Sequence, residues 1–271
     1  MSEQKGPRVG IWLFPSVPVR EMVDAVVAAD AAGVDEVWIA DEGTMREPLV
    51  ALSAAAVLTT RIKLGIGITT PMIRHPGAIG SSIATLDELS DGRAMLGFGV
   101  GGNLTLAPFG LQVEKPVALI RNAIRVARAV TLRQSAQGYE PPDHAMPARR
   151  VPIFVASRGE QINRLASREA DGAFLSGVPI DDLERQVGLV RSVRPIHVAL
   201  YPSVRFRPAA PGQAEDPAAL RGMPDEIAAV LQSLSTQFQP ESIGLCLVDG
   251  DPMAAMTESA LATIAAFRSL G

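Results

Sequence analysis

Apolar runs rich in β-branched residues alternate eight times with segments of helical period, and this count constrains the fold more than any single motif. The strand-like runs are RVGIWLF, VDEVWIAD, IKLGIGIT, RAMLGFGV, VPIFVAS, GAFLSG, PIHVALYP and SIGLCLV. Helical period occupies Val19 to Ala32, Pro48 to Thr59, Gly77 to Ser90, Val117 to Arg133, Glu160 to Ala170, Asp181 to Val193, Pro217 to Phe238 and Pro252 to Leu270. Eight strand–helix units in strict alternation predict an α/β protein, a (β/α)8 TIM barrel, with residues 1–271 as a single domain. An open, doubly wound sheet shares the alternation and is the structural alternative.

Helix ends carry matching signals. Asp251 suits an N-cap with Pro252 at the first helical position, and Gly33 and Gly92 follow their helices as C-terminal caps. Two polar, proline-rich loops interrupt the pattern. GYEPPDHAMPARR follows a helix and belongs to the stability end of a barrel, whereas RPAAPGQAEDP follows the seventh strand and belongs to the catalytic rim.

Composition narrows function by exclusion. The net charge of -4, with basic residues scattered, gives no surface for tracking phosphates, so no nucleic-acid partner is expected. Aromatic content is only 4%, which leaves Ala, Val, Leu and Ile to fill the interior. The single cysteine, Cys246, lies in the apolar run IGLCLV, reads as a buried thiol and fits a reducing cytoplasm. MSEQKGPRVG lacks an apolar leader core, and no stretch is long and apolar enough to span a bilayer, so a cytoplasmic protein without a membrane partner is expected.

The segment from Pro48 to Gly102 carries the chemistry. Its two glycine-studded strands, IKLGIGIT and RAMLGFGV, each run into an open loop. GFGVGG has the spacing G-x-G-x-G-G with no helix expected directly after it, which argues against a dinucleotide fingerprint. In a barrel, Gly99, Gly101 and Gly102 fall where the fourth strand reaches the rim, and their missing side chains leave room for a planar ring, or else serve close packing. Asp41 and Glu42 are adjacent carboxylates where the second strand emerges, close enough for one to raise the other's pKa. Because neighbouring strand residues point to opposite faces, Asp41 is expected at a cofactor, and Glu42 either relays a proton or meets solvent.

Asp41, Thr60-Arg61-Ile62-Lys63-Leu64-Gly65, Arg74-His75-Pro76, the run Thr85 to Arg93, Val155-Ala156-Ser157 and Ala170-Asp171-Gly172 together resemble the luciferase-like flavin and deazaflavin oxidoreductases. The resemblance covers roughly Arg8 to Gly177, is looser beyond, and is closest to the branch using coenzyme F420, the methylenetetrahydromethanopterin reductase-like proteins. It implies a deazaflavin cofactor, with FMN as the alternative, and hydride exchange with a small organic substrate. It also implies a bulged third strand with a non-prolyl cis peptide at Gly67-Ile68 supporting the ring, and a homodimer.

On the same grounds Ala156, Ser157, Arg158 and Gly159 would receive the cofactor phosphate at a helix start, with Ser176 and Gly177 as a second small-residue junction. An ordinary Ser cap is the other reading of Ser157. Thr69 and Thr70 either bond the ring and its ribityl oxygens or simply end the strand through their hydroxyls. Sugar-oxidising members resembling this branch have a histidine where this chain has Glu42 and a glutamate where it has Gly102, which argues against that reaction. An FMN monooxygenase or reductase is the enzymatic alternative, and a noncatalytic flavin-binding protein the alternative of another class.

The remaining polar candidates read as structural. His75 precedes Pro76 at a helix start and suits a cap, while His144 lies in a loop. His197 alternates with Ala199 and Tyr201 toward the barrel interior, Tyr201 being nearest the substrate end. Arg205 and Arg207 either meet a carboxylated ligand or form a solvated pair. No spacing suits a metal site or a nucleophile elbow.

Overall fold

The computed structural model describes residues 6–156, 159–206, 218–248 and 253–271. In chain order its elements are β1 (Arg8–Leu13), α1 (Val19–Ala31), β2 (Glu36–Ile39), α2 (Pro48–Ala56), β3 (Lys63–Thr69), α3 (Pro76–Leu89), β4 (Ala94–Phe98) and the short α4 (Asn103–Leu106). Then come α5 (Pro116–Leu132), β5 (Ile153–Val155), α6 (Glu160–Glu169), β6 (Gly172–Ser176), α7 (Ile180–Val190), β7 (His197–Tyr201), β8 (Ser203–Arg205), β9 (Leu220–Arg221), α8 (Pro224–Phe238), β10 (Ser242–Leu247) and α9 (Met253–Ser269).

Strands β1 to β7 and β10 pair in parallel, and β10 returns to β1 with Gly10 opposite Gly244. That last pairing closes the sheet, so the expected (β/α)8 barrel forms and the open sheet does not. Pro202 interrupts the strand after β7, and its carbonyl accepts the Cys246 amide at 3.0 Å while β8 continues along β10. The small β8–β9 pair was not legible as strands. Helix α8 starts at Pro224 rather than Pro217: Gly222 has φ 148, and the Glu226 carboxylate accepts the Met223 amide at 2.7 Å, fixing the start there. Asp251, Pro252 and the loop 207–217 lie outside the described residues.

Aliphatic side chains pack between strands and helices, as the composition required, but the barrel lumen is aromatic. Trp38, Phe154, Phe174 and Tyr201 fill it with Met95 and Ala199. Two of the rings fit because glycines lie beside them on nearby strands. A Cβ on Gly65 would stand 2.3 Å from the Trp38 ring, and one on Gly10 would stand 2.0 Å from the Tyr201 hydroxyl. Few aromatics are needed when each covers two strands.

Below these rings a polar floor closes the barrel. Glu36 accepts the Tyr201 hydroxyl at 2.7 Å and the Trp38 indole at 3.2 Å, and pairs with Arg8 at 3.4 Å. Tyr201 therefore points to the floor, not the substrate end: its backbone lies high, but glycines at 10 and 244 leave its ring a path downward. His197 bonds the Ser242 hydroxyl at 2.7 Å and faces Arg8; burial first, then the Arg8 charge, pushes its pKa down to about 3.

Arg93 explains the run around Asp91 and Gly92. Its buried guanidinium donates to the carbonyls of Ala56, Thr59, Ile62 and Ser90 and to the Thr59 hydroxyl, at 2.7–3.0 Å. It ties the ends of α2 and α3 to the start of β3. With carbonyls of Ala56 and Thr59 turned to Arg93, α2 stops short of its expected end. Gly33 and Gly92 follow α1 and α3 at φ 78 and 80, as cap glycines do.

Candidate active site

The C-terminal mouth of the barrel is organised around a break in β3. Opposite β4, Ile66 pairs with Leu96 but Thr69 pairs with Phe98, so β3 holds one extra residue, and the Gly67-Ile68 peptide within it is cis. The surrounding groups grip this bulge. The Trp12 indole donates to the Gly67 carbonyl, and the Asp41 amide donates to the Ile68 carbonyl at 3.3 Å. Asp41 also accepts the Thr69 hydroxyl at 2.6 Å and the Gly43 amide at 3.2 Å, and is only 7% exposed.

Ile68 lies across two glycines. A Cβ on Gly97 would meet Ile68 Cγ2 at 2.8 Å, and one on Gly99 would meet Ile68 Cδ1 at 1.9 Å. The space expected at Gly99 is thus filled by Ile68, and that at Gly101 by Leu106 at 3.1 Å. Gly102 alone of these three rim glycines faces open space. Partly exposed Trp12, Ile68 and Ala156 pack together on the aromatic lumen. They form an apolar ledge bordered by backbone carbonyls, to which a flat, uncharged ring system is suited.

Other expected residues fall less directly at the ledge. The Thr70 hydroxyl donates to the Val100 carbonyl at 3.1 Å, and Thr69 and Thr70 are 2% and 1% exposed, so both hydroxyls serve the strand ends. Ser157 and Arg158 lie outside the described residues. Gly159 is the N-cap of α6. Half-buried Ser176 ends β6, and the Gly177 amide donates to the Tyr201 carbonyl at 3.2 Å.

A helical turn, α4, does follow GFGVGG directly, against expectation, because the Gly102 carbonyl accepts the Thr105 and Leu106 amides. It brings Thr105 to Glu42, whose carboxylate accepts that hydroxyl at 2.6 Å. Burial raises the Glu42 pKa, the Thr105 bond opposes this, and the Asp41 charge raises it further. Glu42 is therefore more inclined to hold a proton than an ordinary glutamate is. Thr105 gave no signal in sequence, being 63 positions from its partner. Trp12 could have been found from its strand alternation with Gly10.

The structural readings of several side chains hold. His75 caps α3 by accepting the Gly77 amide at 3.1 Å, His144 is exposed, and Cys246 is buried. Arg205 is not a solvated charge: it is buried in β8, beside Arg221 of β9. Among the described residues, no His, Cys, Asp or Glu group could hold a metal ion, and no helix is long and apolar enough to cross a membrane.

Comparison with known proteins agrees with this fold. A 5,10-methylenetetrahydromethanopterin reductase of Methanolobus tindarius is 32% identical over 181 residues, 65% of this chain and 56% of its own length. An F420-dependent glucose-6-phosphate dehydrogenase of Beutenbergia cavernae is 34% identical over 178 residues, 56% of this chain and 51% of its own. The chain thus spans about half the length of the curated relatives it matches. In structure, the coenzyme F420 dependent tetrahydromethanopterin reductase of Methanopyrus kandleri superposes with a TM-score of 0.79 at 21% identity, over 97% of this chain and 99% of that one. The sequence pattern described as luciferase-like monooxygenase matches residues 6–208, and the chain belongs to that family.

Proposed function

We propose that this chain is a coenzyme F420-dependent oxidoreductase that exchanges a hydride with a small organic substrate at the barrel mouth. The observation that carries this reading is the ledge at Gly67-Ile68, held by Trp12 and Asp41 and floored by Ile68 and Ala156. Bound there, a deazaflavin supplies two-electron hydride transfer, because carbon replaces the reactive central nitrogen of a flavin. The names of the relatives from Methanopyrus kandleri and Beutenbergia cavernae support the choice of cofactor.

The chain's own residues divide the remaining work. Asp41 is a positioning residue: its amide and carboxylate fix Ile68 and Thr69, so the ledge keeps its shape. Glu42, with its raised pKa and its tether to Thr105, holds the proton that a reduction delivers or an oxidation removes. Gly102 leaves the rim open for entry. The cofactor's phosphate falls to Ala156, Ser157, Arg158 and Gly159, with Ser176 and Gly177 alongside.

We take residues 1–271 as one catalytic domain, cytoplasmic, acting as a homodimer. The outer face and C-terminal end of α2 support a dimer, since Val50 on the helix and Val57 and Leu58 just past it are 59%, 64% and 61% exposed. An FMN-dependent monooxygenase or reductase is the second reading, favoured by the description of the family itself. Calorimetric titration with F420 and with FMN separates them. Tight F420 binding with weak FMN binding is expected, and the reverse overturns the first reading.

A further inference from the structure

Among the described residues the mouth is polar over β2 and α4, where Asp41, Glu42 and Thr105 gather, but apolar on the side of β1 and β10. There a recess of about 290 Å3 is lined chiefly by Trp12, Phe14, Leu247, Met253 and Met256, with Ser16 at its rim. It adjoins the ledge, because Trp12 forms its wall while bonding the Gly67 carbonyl. None of its described lining residues is charged. Arg46 reaches the same rim, but its guanidinium is engaged by the carbonyls of Pro15 and Ser16 at 3.4 and 2.9 Å.

Size and chemistry together define an occupant. An apolar cavity of about 150 Å3 holds benzene, so a recess of about twice that volume holds roughly a dozen non-hydrogen atoms. A phosphate or carboxylate seated deep among these carbon side chains would lose water with no described lining residue to pair its charge, Arg46 standing only at the rim. Two methionines and two aromatic rings instead give an adaptable wall for carbon. We infer that the substrate is an uncharged, largely apolar molecule of up to about a dozen non-hydrogen atoms, its body in this recess and its reacting carbon over the ledge. This rests on the function proposed above, and sets the chain apart from a dehydrogenase acting on a sugar phosphate.

The test uses the full chain and calorimetric titration with 2-octanone, with glucose 6-phosphate and separately with F420 and FMN. Saturable binding of 2-octanone and none of glucose 6-phosphate is expected. Ser16→Trp, which fills the recess from an exposed position, should weaken 2-octanone by about tenfold or more while F420 affinity stays within about twofold. Met256→Gln, which places an amide in the wall, should weaken it in the same direction. No saturable 2-octanone binding, equal binding of glucose 6-phosphate, or full 2-octanone binding by Ser16→Trp overturns the inference. Binding of 2-octanone by a wild-type protein that takes neither F420 nor FMN overturns the functional reading and leaves the recess standing.

Discussion

Alanine at Gly99 separates the ledge from the fold that carries it. A Cβ at this position would lie 1.9 Å from Ile68 Cδ1 and 3.2 Å from Cγ1, and its next neighbour, the Ala156 carbonyl oxygen, is at 3.4 Å. Both close atoms belong to one partly exposed side chain, so the isoleucine swings and the backbone keeps its place. To regain a carbon–carbon separation of about 3.5 Å, Ile68 Cδ1 must retreat by about 1.5 Å. Mild overpacking of this kind costs about 1 kcal/mol, a fall of a few degrees in Tm. The space proposed for the ring suffers more, since displacement by about 1 Å at a reacting centre costs on the order of a hundredfold in rate. Gly99→Ala should therefore weaken F420 by about tenfold or more while the apo protein stays folded. Gly65→Ala is the contrast: three Trp38 ring atoms would stand at 2.3, 2.6 and 2.8 Å, and Trp38 is wedged between Phe154 and Phe174. That substitution should cost more than about 3 kcal/mol and fail as a folding defect. Thermal melts of both apo variants and F420 titrations of Gly99→Ala decide the matter. Unchanged F420 affinity in Gly99→Ala, with the small loss in Tm, refutes the placing of the ring.

Other substitutions test other parts of the account. Glu42→Gln should abolish the pH limb that Glu42 imposes on turnover, and Thr105→Val, which removes a bond favouring the charged form, should move that limb to higher pH; steady-state rates across pH read both. His197 has its folded pKa depressed to about 3 from the ordinary imidazole value of 6.5, so between those values the unfolded chain binds the extra proton. Stability is then full above the upper value and falls toward the lower by at most about 1.4 kcal/mol per pH unit, and His197→Asn should flatten this part of the urea-unfolding profile. Arg93→Ala strands four carbonyls and a hydroxyl, for an expected loss of about 3–5 kcal/mol in the same assay, without loss of F420 affinity in the protein that remains folded.

The barrel was legible because its signal is repeated: each of the eight strand runs contains an observed strand, and each helical period an observed helix among the described residues. Pairwise geometry was less so. Nothing local tells that Tyr201 turns down to Glu36, a partner 165 residues away, or that Thr105 reaches Glu42. The rim glycines were visible as glycines, but whether a missing Cβ leaves room or admits a neighbour depends on Ile68 and Leu106. The cis bond at Gly67-Ile68 was expected from family resemblance, and residue chemistry alone left that glycine open to ordinary close packing.

Electron density from crystals soaked with F420 tests the central claim most directly. A three-ring density in van der Waals contact with Ile68 and the Gly67-Ile68 peptide, with Glu42 facing the mouth beside it, is the predicted result. A protein saturated with F420 whose ring density lies away from that peptide contradicts the account.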